Sequence, residues 1–590
     1  MLSNIFKTKR AFTLIETLVG VTVFLVIATS IYQAYVSLFS FISLNQYKVL
    51  ALNLANEQFE IIRNLSYSNI GIPGAIPNGQ IPHIQTLERG GVNFTVTTTI
   101  RNVDLPFDGL IGETPNDLSP ADNKLVSVEI TCATCRNFTP INITTTVAPK
   151  NLETASTNGS LLVKVFDANG LPVNNASVSI INNLATPPIV INDVTNVNGF
   201  LQIVDAPPGA EAYEIIVTKA GYSTDKTYPT GGVANPNPIK THATVLLQQL
   251  TQISLSIDKL SSLTIKSENS ACTSIPNVGL SLKGTKLIGT DVIKYYSTPN
   301  TGGTGTYINN SMEWDYYNIV SLDSVYDIAG INPLNAISLG PNNTQSISVV
   351  MTPKNPKSLL VTVKDSSTLL PITDAIVRVT NSGSYDNSKI TGRGSISQTD
   401  WSGGEYSSND GNIDVLNPAG ELTLRNVFGS YNPSGVMESI IFDTGSASNF
   451  HNLAWLPTDQ PIEAGANSVR FQFATNATST ASTTWDYKGP DETSSTYYTL
   501  PNTTLSSVHN GDRYAKFKVF LETLSSTSTP NISDISFTVT TSCTPPGQVI
   551  FTGLSSDSYH VEVNKAGYTI SETDVNVNLD WQEHEIILAP

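Results

Sequence analysis

Residues 14–42 carry a single charge, Glu16, and follow directly on a basic cap of Lys7, Lys9 and Arg10. An apolar run of that length can cross about 30 Å of hydrocarbon as a helix. Basic residues stay on the cytoplasmic side of such a span, so the cap predicts that everything after the helix faces outward. Glu16 needs a reason to be there. A carboxylate in a membrane helix costs about 2.5 to 3.5 kcal/mol on insertion scales and is seldom present without a partner. An ordinary secretory signal would be cut after the apolar stretch and would leave Glu16 without a role.

The string Ala11-Phe12-Thr13-Leu14-Ile15-Glu16-Thr17-Leu18 resembles the leader junction of type IV prepilins and type II secretion pseudopilins. The resemblance implies a leader of residues 1–11, removed by a prepilin peptidase that cuts between Ala11 and Phe12 and methylates the new N-terminus. It implies that Glu16 serves filament assembly by neutralising the N-terminal amine of a neighbouring subunit, a pairing that makes a buried carboxylate tolerable. The chain departs from the pattern twice: Ala11 stands where Gly is usual, and no proline interrupts the apolar segment.

The helical pattern continues past the membrane. Residues 48–65 keep Leu50, Leu52, Leu54, Phe59 and Ile62 among polar residues without Pro or Gly, as an amphipathic helix requires. Residues 12–64 are therefore expected to form one rod of about 80 Å at 1.5 Å per residue. Residues 65–152 are expected to form a small head on that rod. Period-two alternation marks strands at residues 93–100 and 125–130, with a third at 141–147. A helix spine laid against a few antiparallel strands resembles the α+β head of a minor pilin. Residues 101–109 read as an exposed polar loop whose acids could bind a cation, and no metal is assigned there or elsewhere.

At 590 residues the chain exceeds any single core, so several domains are expected. Only 14% of residues are charged, and Ser, Thr and Asn recur in alternating runs, which reads as many short strands. The net charge of −17 without a local basic patch argues against a nucleic-acid partner.

An internal repeat organises the rest. Ser160-Leu161-Leu162-Val163-Lys164-Val165-Phe166-Asp167 recurs as Ser358-Leu359-Leu360-Val361-Thr362-Val363-Lys364-Asp365, and the decapeptide from Tyr213 to Tyr222 recurs from Tyr559 to Tyr568. Ser160 and Lys219 are 59 positions apart in the first copy, and Ser358 and Lys565 are 207 apart in the second. The second copy is split by an inserted domain. The opening strand, the Ala-containing strands at Ala176 and Ala375, the Gly-led strands at Gly199 and Gly547, and the closing Lys-Ala-Gly-Tyr resemble carboxypeptidase regulatory-like and collagen-adhesin B-type repeats. Those are seven-strand, Ig-like sandwiches used as stalks and ligand-presenting modules. The resulting division is a sandwich at 153–250, a diverged sandwich at 251–355, a split sandwich at 356–399 plus 543–590, and the insertion at 400–542. Trp485-Asp486, Gly489-Pro490-Asp491 and Asp512-Arg513-Tyr514 give the insertion a resemblance to jelly-roll modules of the galactose-binding type. That resemblance makes Trp401, Trp455 and Trp485 candidates for carbohydrate contact; the acidic aromatic cluster at Trp314 is another place where a sugar could stack.

Cys132 and Cys135 follow a head strand and are candidates for a local disulfide outside the cell. Cys272 and Cys543 fall in separate expected domains and read as unpaired and buried. Six scattered His, the lack of a Gly-x-Ser-x-Gly elbow and the lack of a phosphate-binding loop leave no catalytic residue to name. No enzyme and no cofactor are expected. The whole reads as a mostly β multidomain chain with a long N-terminal helix. Its expected function is that of a minor type IV pilin-like subunit, first a single-pass membrane precursor with its N-terminus inside and then part of a pilus or cell surface. Its expected partners are prepilin peptidase, other pilins and their assembly machinery, the membrane, and a glycan or host-surface ligand. The alternative is a type II secretion pseudopilin or a membrane-tethered carbohydrate-active protein.

Overall fold

The computed structural model describes residues 13–150, 155–383, 385–480 and 482–590. The chain divides into two compact units, residues 1–258 with 288–292, and residues 259–287 with 293–590. One long N-terminal helix is followed by regular structure that is almost all strand.

The first unit opens with α1 (Leu14–Arg63), 50 residues in one helix, about 75 Å long. Its apolar first part is unburied. In its last turns Ala51, Leu54, Ala55, Gln58, Phe59 and Ile62 are buried, a spacing of three and four residues that draws one stripe along the helix. That stripe packs on a four-stranded antiparallel sheet in chain order: β1 (Ile84–Arg89), β2 (Val92–Val103), β3 (Asn123–Thr131) and β4 (Ile141–Val147). Phe94, Val96, Ile100, Val126, Val128 and Ile130, every second residue of the two central strands, are buried in the same core. β1 escapes the sequence pattern because Gln85, Thr86, Glu88 and Arg89 leave it no apolar alternation, and its pairing with β2 supplies the order instead.

The same unit contains a β-sandwich. β5 (Gly159–Phe166) lies between β8 (Phe200–Ala206) and the strand Leu250–Ser256, while β6 (Ser177–Asn182) lies between β7 (Ile189–Val194) and β9 (Gly209–Thr218). The head is fastened to it. Ile76, from the loop after the spine helix, sits in the sandwich core. Val190 N–H donates to the Gly74 carbonyl at 2.7 Å, and Asn102 Nδ2 donates to the Val204 carbonyl at 3.2 Å.

The second unit holds two further sandwiches and the insertion. In the first, Ser261–Glu268 pairs antiparallel with Thr306–Met312 and parallel with Thr344–Pro353. In the second, Ser358–Asp365 pairs antiparallel with Gln548–Phe551 and parallel with Trp581–Leu588. β5 makes the same two pairings, antiparallel to β8 and parallel to Leu250–Ser256.

The likeness of the three sandwiches extends to single hydrogen bonds. Val165 N–H donates to the Gly199 carbonyl at 2.8 Å, Ser267 N–H to Gly305 at 2.9 Å, and Val363 N–H to Gly547 at 2.8 Å. All three glycines have positive φ, 73°, 68° and 68°, which a residue with a β-carbon adopts only under strain. A buried threonine hydroxyl then accepts from the start of the next strand: Ala176 N–H to Thr195 at 2.9 Å, Val278 N–H to Thr301 at 3.0 Å, and Ala375 N–H to Thr391 at 3.0 Å. Thr391 Oγ1 also donates to the Ile372 carbonyl at 2.7 Å. Thr391→Val is therefore expected to lower stability by about 1 to 3 kcal/mol, since it leaves a buried N–H and a carbonyl unpaired. Calorimetric melting of the full chain would measure this, with Thr380→Val, a partly exposed threonine, as the neutral control.

The insertion occupies the link that in the first sandwich runs from Thr195 to Gly199, between Thr391 and Gly547. Its sheet starts earlier than residue 400: Gly394–Gln398 already pairs with Asp534–Thr540. The polar, alternating Gly-Ser-Ile-Ser-Gln sequence resembles that of the sandwich strands, so only pairing assigns it to the insertion. The longest insertion strand, Phe442–Leu456, breaks its own alternation at register shifts, and sequence periodicity shows only fragments of it.

Candidate functional site

Lys7, Lys9, Arg10, Ala11 and Phe12 lie outside the described residues. The helix start beside them is well defined. Thr13 is the N-cap of α1 and Glu16 completes a capping box. Thr13 N–H donates to Glu16 Oε2 at 3.0 Å, the Thr13 hydroxyl donates to the same oxygen at 2.9 Å, and Glu16 N–H donates back to Thr13 Oγ1 at 3.3 Å. The carboxylate thus satisfies donors that a helix start leaves open. Farther along, Thr17, Thr22, Thr29, Ser30 and Ser40 turn their hydroxyls onto carbonyls three or four residues back. These hydroxyls are thereby satisfied within the helix itself.

The aromatic candidates separate sharply. Trp401 is 0% exposed and Trp455 is 2% exposed, both inside the insertion core with Phe450, Phe471 and Phe537. They fill the sandwich and are not ligand contacts, which corrects the sequence expectation: an apolar ring that size contributes most when fully enclosed. Trp485 stays partly exposed, with Lys516 Nζ 5.6 Å from its ring centroid. The Trp314 ring is capped by Lys286 Nζ at 2.9 Å, and Glu313 pairs with both Lys286 and Lys294. That face is occupied by the protein itself.

Cys132 and Cys135 form a disulfide with Cα atoms 5.4 Å apart. Cys272 and Cys543 form another, with Cα atoms 5.5 Å apart. The expectation that these two are unpaired is thereby corrected; they lie 271 positions apart, a distance no local pattern encodes.

The loop joining β2 to β3 departs from its expected exposed character. Asp104 is half-buried, while Asp117 and Asp122 are 6% and 2% exposed. One carboxylate oxygen of each lies within 4.8 Å of the others. Three negative charges so close repel each pair by about 3 kcal/mol at an effective dielectric near 20. Burial first, and then the neighbouring carboxylates, push the Asp104 carboxyl up to about 6. Asp117 and Asp122 were not singled out in the sequence. The available signal was the crowding of Asp104, Asp108, Asp117 and Asp122 into one short segment of a charge-poor chain.

Residues 6–32 match the prokaryotic N-terminal methylation motif. The motif spans the basic cap, the Ala11-Phe12 junction, the Glu16 capping box and the first part of α1. The N-terminus accordingly carries a prepilin-type methylation motif on a helix long and apolar enough to cross a membrane. No curated protein matches the sequence. Among solved structures, the TIE protein of Bacillus anthracis is 11% identical, with 85% of this chain and 72% of that one covered, at a TM-score of 0.16. GBS52, the minor pilin of Streptococcus agalactiae, is 13% identical over 34% of this chain and 99% of its own, at 0.17. Shaft pilin SpaA of Lactobacillus rhamnosus GG is 12% identical over 33% and 98%, at 0.14. Scores of this size leave the architecture to be read from the strand pairings themselves.

Of the histidines, His509 is the most enclosed, 2% exposed and edge-on to the Phe473 ring at 5.2 Å. Burial, with Lys488 adding to it, holds its pKa down at about 4. The folded state therefore favours the neutral ring. Its contribution is complete above the unfolded pKa near 6.5 and is lost as pH falls from there to about 4, about 3 kcal/mol in all. His509→Gln should flatten that part of the stability profile, which melting of variant and wild type at pH 7 and pH 4 would compare.

Proposed function

We propose that the chain is a minor type IV pilin-like subunit that places a series of β-sandwich modules on a filament or cell surface for adhesion. The carrying observation is continuity. One helix begins in the methylation motif, runs unburied through its apolar part, and ends buried against a four-stranded head. A precursor of this kind is cut by prepilin peptidase at Ala11-Phe12, and its exposed apolar half packs among other pilins. Several hundred residues of sandwich on every subunit would crowd a filament, which favours a tip or low-abundance position. No catalytic role forms part of the proposal. With Trp401 and Trp455 enclosed, a surface ligand would be met by groups that remain accessible, such as the partly exposed Trp485.

N-terminal sequencing and intact-mass measurement of the surface-exposed protein test this reading. A methylated Phe12 start is the expected result, and a retained Met1 would overturn the filament assignment. Binding of the intact protein to a glycan array, lost in Trp485→Ala, would identify the ligand class.

A further inference from the structure

The geometry points to a calcium site in the loop between β2 and β3, formed by Asp104, Asp117 and Asp122. Each offers one carboxylate oxygen, and the three oxygens fit within 4.8 Å. Two oxygens on opposite sides of a calcium ion, each at about 2.4 Å, are separated by that same span. The donors are all hard oxygens, which select calcium or magnesium over softer metals.

A cluster of acids alone would not require an ion; the state of Asp117 supplies the second reason. Its side chain is more than nine-tenths enclosed. Oδ1 accepts from Ser119 N–H at 2.7 Å, whereas Oδ2 is buried and receives no hydrogen bond. Asp104 is divided in the same way, with Oδ2 accepting from Ile111 N–H at 3.0 Å and Oδ1 buried without a partner. A buried carboxylate oxygen without donor or cation is among the least tolerable groups a fold can contain. No Lys or Arg forms an ion pair with Asp104 or Asp117 among the described residues. Lys124, two positions beyond Asp122, directs its ammonium to the carbonyls of Tyr67 and Ile70, each at 2.7 Å. A divalent cation held among the three carboxylates would supply the positive charge that Asp104 and Asp117 lack.

The position gives the ion a consequence. The same loop holds the head to the first sandwich: the Leu118 carbonyl accepts from Ser156 N–H at 2.8 Å, and Gly112 lies against the Leu250 side chain. Calcium would stiffen the joint between the spine-bearing head and the first displayed module. The ion would be acquired outside the cell, where calcium is plentiful.

Isothermal titration of the full chain in detergent, stripped with EGTA and titrated with CaCl2, decides the matter. The expected result is one ion per chain with a Kd of about 10⁻³ M or tighter, together with a higher melting temperature in calcium than in EGTA. Asp117→Asn should weaken binding at least tenfold, as expected for loss of a direct ligand. It should melt in EGTA no lower than wild type, because it relieves repulsion without changing shape. Asp104→Asn provides the same comparison should the first variant misfold. Absence of binding up to about 10 mM CaCl2, or wild-type affinity in a folded Asp117→Asn chain, would overturn the site. Equal affinity for MgCl2 would overturn its assignment to calcium.

Discussion

A Glu16→Ala chain is expected to be cleaved and methylated normally and yet to be missing from filaments. Two roles for this carboxylate compete. Locally it closes the capping box with Thr13, accepting at 3.0 and 2.9 Å; losing a cap of this kind costs a helix about 1 kcal/mol. In a 50-residue helix anchored by its other end in the head, that loss is too small to unwind the structure. The proposed charge pairing with a neighbouring subunit would be worth more, because without the carboxylate that subunit's buried N-terminal ammonium is left uncompensated, at a cost of about 2.5 to 3.5 kcal/mol. About 3 kcal/mol corresponds to about a hundredfold loss of incorporation. Glu16→Gln separates the roles. It keeps an oxygen that can accept from Thr13 but removes the charge, so filament assembly should fail in both variants. Immunoblots of sheared filaments, read beside intact masses from the membrane fraction, measure it. Normal assembly of Glu16→Gln would show that the cap alone suffices.

Replacing Cys272 and Cys543 together by Ser should cause a large loss of stability. The bridge joins residues 271 positions apart, and in the chain-entropy account a closure of that length stabilises the folded state by about 5 kcal/mol. The Cys132–Cys135 bridge, with a separation of 3, is worth about 2 kcal/mol on the same account. Scanning calorimetry under oxidising and reducing conditions should therefore show a transition that falls strongly with the reductant. The double Cys272/Cys543 variant should reproduce that fall, and the Cys132/Cys135 variant should not. A similar effect from both pairs would remove loop length as the cause.

What the sequence reveals depends on how far apart the interacting residues are. The N-terminal motif is legible because its parts are contiguous. The repeat is legible because each copy needs the same local chemistry at the same places: Gly199 and Gly547 at positive φ, and Thr195 and Thr391 under a strand start. The diverged middle sandwich keeps this through Gly305 and Thr301. The rest is non-local. Asp104 meets Asp117 and Asp122 only because β2 and β3 return the chain to one place, and Cys272 finds Cys543 across nearly half its length. Trp401 and Trp485 look equivalent in the sequence, since no neighbour in the chain tells which ring the fold encloses.

In each sandwich the opening strand lies parallel and adjacent to the closing one, as β5 does with Leu250–Ser256. The chain therefore enters and leaves at opposite ends of a shared ladder. Under tension from those ends, the hydrogen bonds between the two strands are loaded together along the strand direction instead of opening one by one. Each sandwich is thereby arranged to resist being pulled apart from its two chain ends.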